Sequence, residues 1–191
     1  MQLDNDADDI IRLIASTLEE VKPTRPWKDR VLLGCWAALY LPICAHYLPN
    51  YSITHIGFSI SYARQFLKTP RTSFNMYQKI MVGPSGNAFL RDIRKAERAI
   101  FFWTVNEVEW MKWSIHKGVD GIITDDPKRY LEVCKNYEGE PICLPLRMWG
   151  SVIGMNILAF IFSLIFRSRY GFKLRSKGRV PRKPLGGSLK S

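Results

Sequence analysis

The sequence has few of the residues from which metal centres and disulfide frameworks are built. It contains four cysteines and three histidines among 191 residues, and no two cysteines stand in a Cys-x-x-Cys pair. Structural zinc sites need tight clusters of cysteine and histidine, so this spacing argues against a zinc protein. We expect reduced and mostly buried thiols, as in a domain that faces a reducing compartment. The residues concerned are Cys35, Cys44, Cys134 and Cys143, with His46, His55 and His116.

Acidic residues are missing from the end of the chain. Positions 167–191 carry nine Lys and Arg and no Asp or Glu. The formal net charge of +11 therefore belongs mainly to this basic segment, since Lys and Arg exceed Asp and Glu by only two elsewhere. We predict a disordered tail whose partner is a phospholipid membrane with anionic head groups, because basic residues close to such a surface gain about 1 kcal/mol each. Nucleic acid is not the expected partner, since a hydrophobic segment adjoins the tail.

Long apolar runs are absent except for one. Residues 148–166 carry no charge and are bracketed by Arg147 and Arg167. As a helix, this segment would span roughly 28 Å, close to the hydrocarbon thickness of a bilayer. We predict a membrane segment and leave its topology open between a transmembrane helix and a monotopic insertion, in which the basic tail stays on the side of the domain. A buried core helix is the weaker alternative.

Strands and helices alternate over the first 137 residues, which argues for a parallel α/β sheet. The chain is short for a complete β/α barrel, which needs about 250 residues. We predict strands over 30–36, 55–60, 99–106 and 119–125, with Gln2-Leu3 as a candidate stub of a fifth, and irregular or partly helical structure over 68–84. An amphipathic helix over 6–21 presents Ile10, Leu13, Ile14, Leu18 and Val21, and a helix capped by Asp126 buries Tyr130, Leu131 and Cys134.

Residues that follow the strands are candidates for function, because barrels carry their chemistry at the carboxyl ends of the strands. These positions hold Asp4, Asn5, Trp36, Ser59, Ser61, Trp103, Asn106, Thr124 and Asp125. None is a histidine and the carboxylates do not cluster, so neither an acid–base pair nor a metal site is predicted. His55 is expected to be structural, since it begins its predicted strand at the opposite end.

Two segments resemble the glycerophosphodiester phosphodiesterase family. The last two strands of that family's barrel have nearly the same sequence as Trp103-Thr-Val-Asn106 and Val119-Asp-Gly-Ile-Ile-Thr-Asp125. With the apolar C-terminal segment, the whole is similar to the fungal membrane-associated phosphatidylglycerol phospholipase C branch. The resemblance covers residues 1–137 and implies a partial TIM barrel of the last four to five β/α units. A linker (138–147), the membrane segment (148–166) and the basic tail (167–191) follow it.

The resemblance implies a phosphoric diester hydrolase of lipid metabolism that acts on glycerophospholipid. Family members commonly use a divalent cation, Mg²⁺ or Ca²⁺, yet their His-Arg-Gly motif, second histidine and Glu-x-Asp metal pair do not occur in this sequence. We therefore expect this chain alone to be inactive and to bind no cation, as the C-terminal portion of a longer barrel.

Three residues are the predicted substrate contacts. The resemblance implies that Trp103 forms an apolar wall against a glycerol or acyl chain of the substrate, and Trp36 and Asn106 are the two further predicted contacts. The alternatives are core packing for the two tryptophans, and a loop tie or helix cap for Asn106.

The alternative function is non-catalytic: a membrane-anchored remnant that binds lipid, or binds protein through its open sheet edges. Both functions would place the domain on the cytosolic side of an intracellular membrane, at the endoplasmic reticulum, a lipid droplet or the mitochondrial surface.

Overall fold

A computed structural model describes residues 3–140, 142 and 145–170. Strands and helices alternate along the chain, with short 3-10 turns over Trp27–Asp29, Arg64–Lys68 and Gln78–Met81. The elements in order are α1 (Leu3–Glu20), β1 (Leu32–Cys35), α2 (Tyr40–Tyr47), β2 (Ser52–Gly57), α3 (Ile60–Ala63), β3 (Thr72–Tyr77), α4 (Pro84–Lys95), β4 (Ile100–Trp103), α5 (Val108–His116), β5 (Gly121–Ile122), α6 (Pro127–Asn136) and α7 (Leu146–Tyr170).

The five strands form one parallel sheet in the order β1-β2-β3-β4-β5. Each strand therefore pairs only with its neighbours in sequence, as in a β/α barrel. A closed barrel of this type has eight strands, so the described sheet is consistent with part of one. The predicted α/β class with a parallel sheet is confirmed.

Two strand predictions are wrong. The segment 68–84, predicted to be irregular or partly helical, contains the 3-10 turn Gln78–Met81 but also the unpredicted strand β3. In β3, Thr72, Phe74 and Met76 are buried, while Ser73 and Asn75 interrupt the apolar pattern. The predicted strand stub at Gln2-Leu3 is also wrong at Leu3, which begins α1. Gln2 lies outside the described residues.

The two faces of the sheet have different environments. Phe74 packs edge-on against Phe89 of α4, and Phe102 stacks on Trp113 of α5, so these positions face the helical layer. Side chains alternate along a strand, which places their neighbours on the opposite, inner face of the sheet. Tyr77 and Trp103 are paired in register on that inner face.

The apolar side of α1 is only partly covered. Ala7, Ile11 and Ala15 are buried, the last two against β1 and α2, while Leu13 is 62% exposed. The predicted amphipathic helix is present, but most of its predicted apolar side is exposed to solvent, namely Ile10, Leu13, Ile14 and Val21.

Helix α6 matches its prediction in part, because Tyr130 is partly buried and packs against the main core. Asp126 caps it as expected, its side chain accepting a 3.0 Å hydrogen bond from the backbone N–H of Arg129. Val133 is buried, whereas Leu131 is 61% exposed and Cys134 is exposed.

The two buried cysteines lie together between β1 and α2. The Sγ atoms of Cys35 and Cys44 are 3.9 Å apart, and both thiols are free. This contact, together with burial, holds the pKa of Cys35 above its ordinary range. Cys143 lies outside the described residues.

Helix α7 joins the core at its start and leaves it further along. Met148 and Val152 are buried in the main core, and Nδ2 of Asn156 donates a 3.3 Å hydrogen bond to the carbonyl of Lys79. Most of the apolar side chains beyond this anchor are exposed, among them Ile157, Leu158, Ile161, Phe162 and Leu164, although Ala159 still packs against the core. The helix continues through residues 167–170, and the rest of the predicted tail lies outside the described residues.

Across the described ranges, no helix combines the length and the apolar character needed to cross a membrane.

Candidate functional site at the carboxyl edge of the sheet

Four aromatic side chains from neighbouring β/α units meet where the strands end. The rings of Trp36 and Trp103 are edge-on, with centroids 5.6 Å apart. Tyr77 lies 5.1 Å from Trp103, and Phe58 lies 6.5 Å from Trp36. We call Trp36, Phe58, Tyr77 and Trp103 the aromatic wall. The structure thus brings the two predicted tryptophans together at the expected edge.

Trp103 is the fixed member of the wall. It ends β4, and its indole Nε1–H donates a 3.0 Å hydrogen bond to the backbone carbonyl of Asn75. Burial raises the pKa of the neighbouring Tyr77 above its ordinary value. Trp36 follows β1 and is 48% exposed. The wall therefore has a packed side at Trp103 and an open side at Trp36.

Asn106 holds the end of β4 to the end of β5. Its Oδ1 accepts hydrogen bonds of 3.0 Å from the hydroxyl of Thr124 and from the backbone N–H of Asp125. Its Nδ2 donates a 2.6 Å hydrogen bond to Oδ2 of Asp125. These bonds fit the loop-tie alternative for Asn106, and its contact with substrate stays a prediction.

The serine candidates also serve the local backbone. Ser59 is the N-cap of α3, where its Oγ accepts a 3.4 Å hydrogen bond from the N–H of Tyr62. The hydroxyl oxygen of Ser61 lies 3.2 Å from the hydroxyl oxygen of Ser59. Asp4 and Asn5 belong to α1 rather than to the end of a strand.

None of the three histidines lies at the carboxyl edge. His46 and His116 are in the last turns of α2 and α5, and a helix that returns between parallel strands ends near their amino edge. His55 lies within β2, not at its start, and its ring stacks on Phe66 of the outer layer at 3.9 Å. Its Nδ1 lies 3.2 Å from the Cys35 carbonyl, and burial lowers the pKa of His55 to about 4.

The inner face also contains polar atoms without hydrogen-bond partners among the described residues. They are Oγ1 of Thr54 and Oδ1 of Asn75, both buried. Within the described part of the chain, no three His, Cys, Asp or Glu side chains are grouped so that they could hold a metal ion. The residues at this edge therefore do not fit the family's divalent cation.

Sequence reasoning missed Phe58 and Tyr77. Tyr77 ends β3, the strand that the sequence does not reveal. Phe58, however, follows β2 directly, just as Trp36 follows β1, so the position after each strand was a usable signal. The sequence gives no comparable signal for Phe162 of α7, whose ring lies 6.2 Å from that of Phe58.

Comparisons with known proteins agree with this architecture. The Glycerophosphoryl diester phosphodiesterase family profile matches residues 5–129. Among solved structures, eight chains match; one, from Silicibacter pomeroyi DSS-3, is described as a "Putative glycerophosphoryl diester phosphodiesterase". It has a TM-score of 0.59 and 15% identity, and the match covers 70% of this chain and 46% of that chain. The chain thus spans less than half the length of that structure, whose likeness shows the fold alone. No curated protein matches.

Proposed function

Because this chain belongs to the glycerophosphoryl diester phosphodiesterase family, we propose that it is part of a phosphoric diester hydrolase of lipid metabolism. Its substrate class is the glycerophosphodiester, with phosphatidylglycerol as the membrane-bound example. The observation that carries this proposal is the aromatic wall, which lies at the edge of a parallel sheet where β/α barrels bind their ligands.

The aromatic wall gives the two predicted tryptophans a role in binding rather than in chemistry. Trp36 offers an exposed ring to the apolar part of a ligand, and Trp103 supports it from a hydrogen-bonded position. Asn106 lies at the exposed rim, where one Nδ2 hydrogen is used by Asp125 and the other points away from that bond. These three residues form our proposed substrate contacts.

Hydrolysis, in this proposal, needs groups that this chain does not supply. Cleavage of a phosphodiester requires a proton acceptor, a proton donor and positive charge near the phosphoryl oxygens. The histidines lie away from the wall, and the described residues offer no cation site. Further β/α units next to β1 and β5 would supply these groups and the Mg²⁺ or Ca²⁺ site, so we propose that residues 1–191 alone are inactive.

We further propose that the domain associates with a phospholipid membrane through α7, as a monotopic protein. Support comes from the exposed apolar side chains beyond Asn156 and from the basic sequence that follows them, which favours anionic head groups. The domain would then face the cytosol on an intracellular membrane, such as the endoplasmic reticulum, a lipid droplet or the mitochondrial surface.

A hydrolysis assay tests the catalytic part of this proposal. Purified protein is incubated with glycerophosphoglycerol, and separately with phosphatidylglycerol vesicles, in Mg²⁺ or Ca²⁺. We expect no turnover above the buffer control. Hydrolysis that follows protein concentration and disappears with chelator would overturn the proposed inactivity.

A non-catalytic remnant is the second candidate, favoured by the exposed apolar side of α7. The size of the endogenous product separates the two. A product well above 22.1 kDa that carries a His-Arg-Gly segment upstream supports the hydrolase. A stable membrane-bound product of 22.1 kDa supports the remnant, which would bind lipid without cleaving it.

A further inference from the structure

We propose that Phe162, Phe58 and Trp36 form a subsite for an acyl chain. The ligand at the carboxyl edge would then be a chain-bearing glycerophospholipid rather than a deacylated glycerophosphodiester. This inference rests on the proposed function in one respect, since it takes the aromatic wall as the ligand site.

The geometry that carries this inference is a continuous series of ring contacts. Phe162 of α7 meets Phe58 with centroids 6.2 Å apart and rings at 77°. Phe58 meets Trp36 at 6.5 Å. From Trp36 the contact continues to Trp103, and so from α7 to the fixed end of the aromatic wall.

Exposure shows that this series is a surface and not a filled core. Phe162 and Trp36 are each 48% exposed, although each touches another ring. Such contiguous apolar surface is a characteristic of ligand grooves and interaction sites. An alkyl chain suits it, because each buried CH₂ group gains about 0.8 kcal/mol without needing a hydrogen bond.

The position of Phe162 is set by the body of the protein. Helix α7 is held by buried Met148 and Val152, and by the hydrogen bond from Asn156 to the carbonyl of Lys79. The contact between Phe162 and Phe58 therefore exists without a membrane. An acyl chain of a lipid that leaves a bilayer beside α7 would contact Phe162 first and the two tryptophans last.

The experiment uses ligands that differ only in their chains. Dihexanoyl-phosphatidylglycerol, kept below its micelle concentration, and glycerophosphoglycerol are titrated by calorimetry into the full chain. The variant is Phe162→Ala, and its matched control is Ile161→Ala, which lies on the same helix with the same 48% exposure. A second variant, Phe58→Leu, keeps the site apolar but removes the ring.

We expect the chain-bearing lipid to bind more tightly than the deacylated diester. Phe162→Ala should weaken binding of the lipid by about tenfold, which corresponds to roughly 1.4 kcal/mol. Phe58→Leu should also weaken lipid binding, while Ile161→Ala should change the lipid affinity by less than about twofold. Glycerophosphoglycerol should respond to none of the three variants. Thermal unfolding confirms that each variant is folded.

Several results would overturn the subsite. Equal affinity for the two ligands does so while leaving the proposed phosphodiesterase function intact. Equal effects of Phe162→Ala and Ile161→Ala on lipid affinity would overturn the subsite, because a general loss of apolar surface would then explain the data. Absence of lipid binding would overturn it directly. Turnover in the hydrolysis assay bears on the inactivity of the chain and leaves the subsite untouched.

Discussion

Asn106 and Asp125 join the loops that follow β4 and β5 through a 2.6 Å hydrogen bond between Nδ2 and Oδ2. The short strand β5, Gly121–Ile122, has few ladder hydrogen bonds of its own. The side-chain bonds of Asn106 therefore secure the last strand of the sheet and the start of α6.

We predict that Asn106→Ala destabilises this edge by about 1–3 kcal/mol, because it removes the acceptor of two hydrogen bonds and the donor of a third. Hydrogen exchange should accelerate in β5 and α6 more than in β2. Asn136→Ala, an exposed asparagine at the end of α6, is the control and should leave exchange in β5 unchanged. Uniform acceleration over the whole sheet would contradict a local tie.

Gly86 has no room for a side chain. A Cβ at this position would lie 1.8 Å from the backbone carbonyl oxygen of Met81, which cannot withdraw as a flexible side chain does. We predict that Gly86→Ala lowers the free energy of unfolding by more than about 2 kcal/mol, through overpacking at the start of α4. Chemical denaturation measures this.

Gly150 provides the matched control. A Cβ there meets no atom within 4 Å, so Gly150→Ala should raise stability by up to about 1 kcal/mol through helix propensity. Similar losses for both variants would show that α4 is not packed against Met81 as described.

His55 makes stability depend on pH in the acid range. Its folded pKa is about 4 and the unfolded value is about 6.5, so below about pH 6.5 the unfolded chain binds the extra proton. Stability should therefore fall as the pH decreases from about 6.5 towards 4, by an amount on the order of 3 kcal/mol for this group.

The variant His55→Phe keeps the ring stack on Phe66 and removes the titration. Denaturation midpoints measured between pH 4 and 7 should show a shallower slope than in the parent protein. An unchanged slope in His55→Phe would contradict a contribution of His55 to the acid sensitivity.

The exposed side of α1 should promote self-association rather than stabilise the fold. Leu13 is 62% exposed, so we predict that Leu13→Glu changes the free energy of unfolding by less than about 0.5 kcal/mol. The same change should reduce self-association in sedimentation velocity, because it interrupts an apolar stripe. Ile11→Glu is the contrast and should unfold the domain, since Ile11 is buried in the α1–α2 core.

Trp103 has a structural and a proposed binding role that two variants separate. Trp103→Phe keeps an aromatic ring and loses the hydrogen bond to the Asn75 carbonyl, which should cost about 1 kcal/mol. Trp36→Phe loses no such bond and should cost less. Urea denaturation measures the free energy of unfolding of both variants. A larger loss of stability for Trp36→Phe would mean that Trp36, at the open side of the aromatic wall, contributes more packing than Trp103.

The sequence predicted the regular part of the fold well. Strands with apolar runs, such as β1 and β4, were found because burial on the helical side leaves a clear pattern. Strand β3 was missed because Ser73 and Asn75 face the inner side, where polar atoms are tolerated. The apolar side of α1 was identified from its spacing. Its exposure depends on which of the described elements pack against α1, and a pattern within the helix carries no information on that.

The candidate site was predictable only where it lies close to the strand ends. Trp36 and Trp103 could be placed because each follows a recognisable strand. The distant contact from Phe162 to Phe58 joins residues more than a hundred positions apart. It depends on how α7 crosses the core, and a uniformly apolar helix gives no sign of which side chain turns towards the body.

Consecutive pairing of the strands has a consequence for how such a protein could change. In the described sheet, no strand lies between two strands that are consecutive in sequence. A β/α unit could therefore be added or lost at either margin without changing the connections of the units that remain. Related proteins with different numbers of β/α units could therefore share the same strand order and the same packing between neighbouring units.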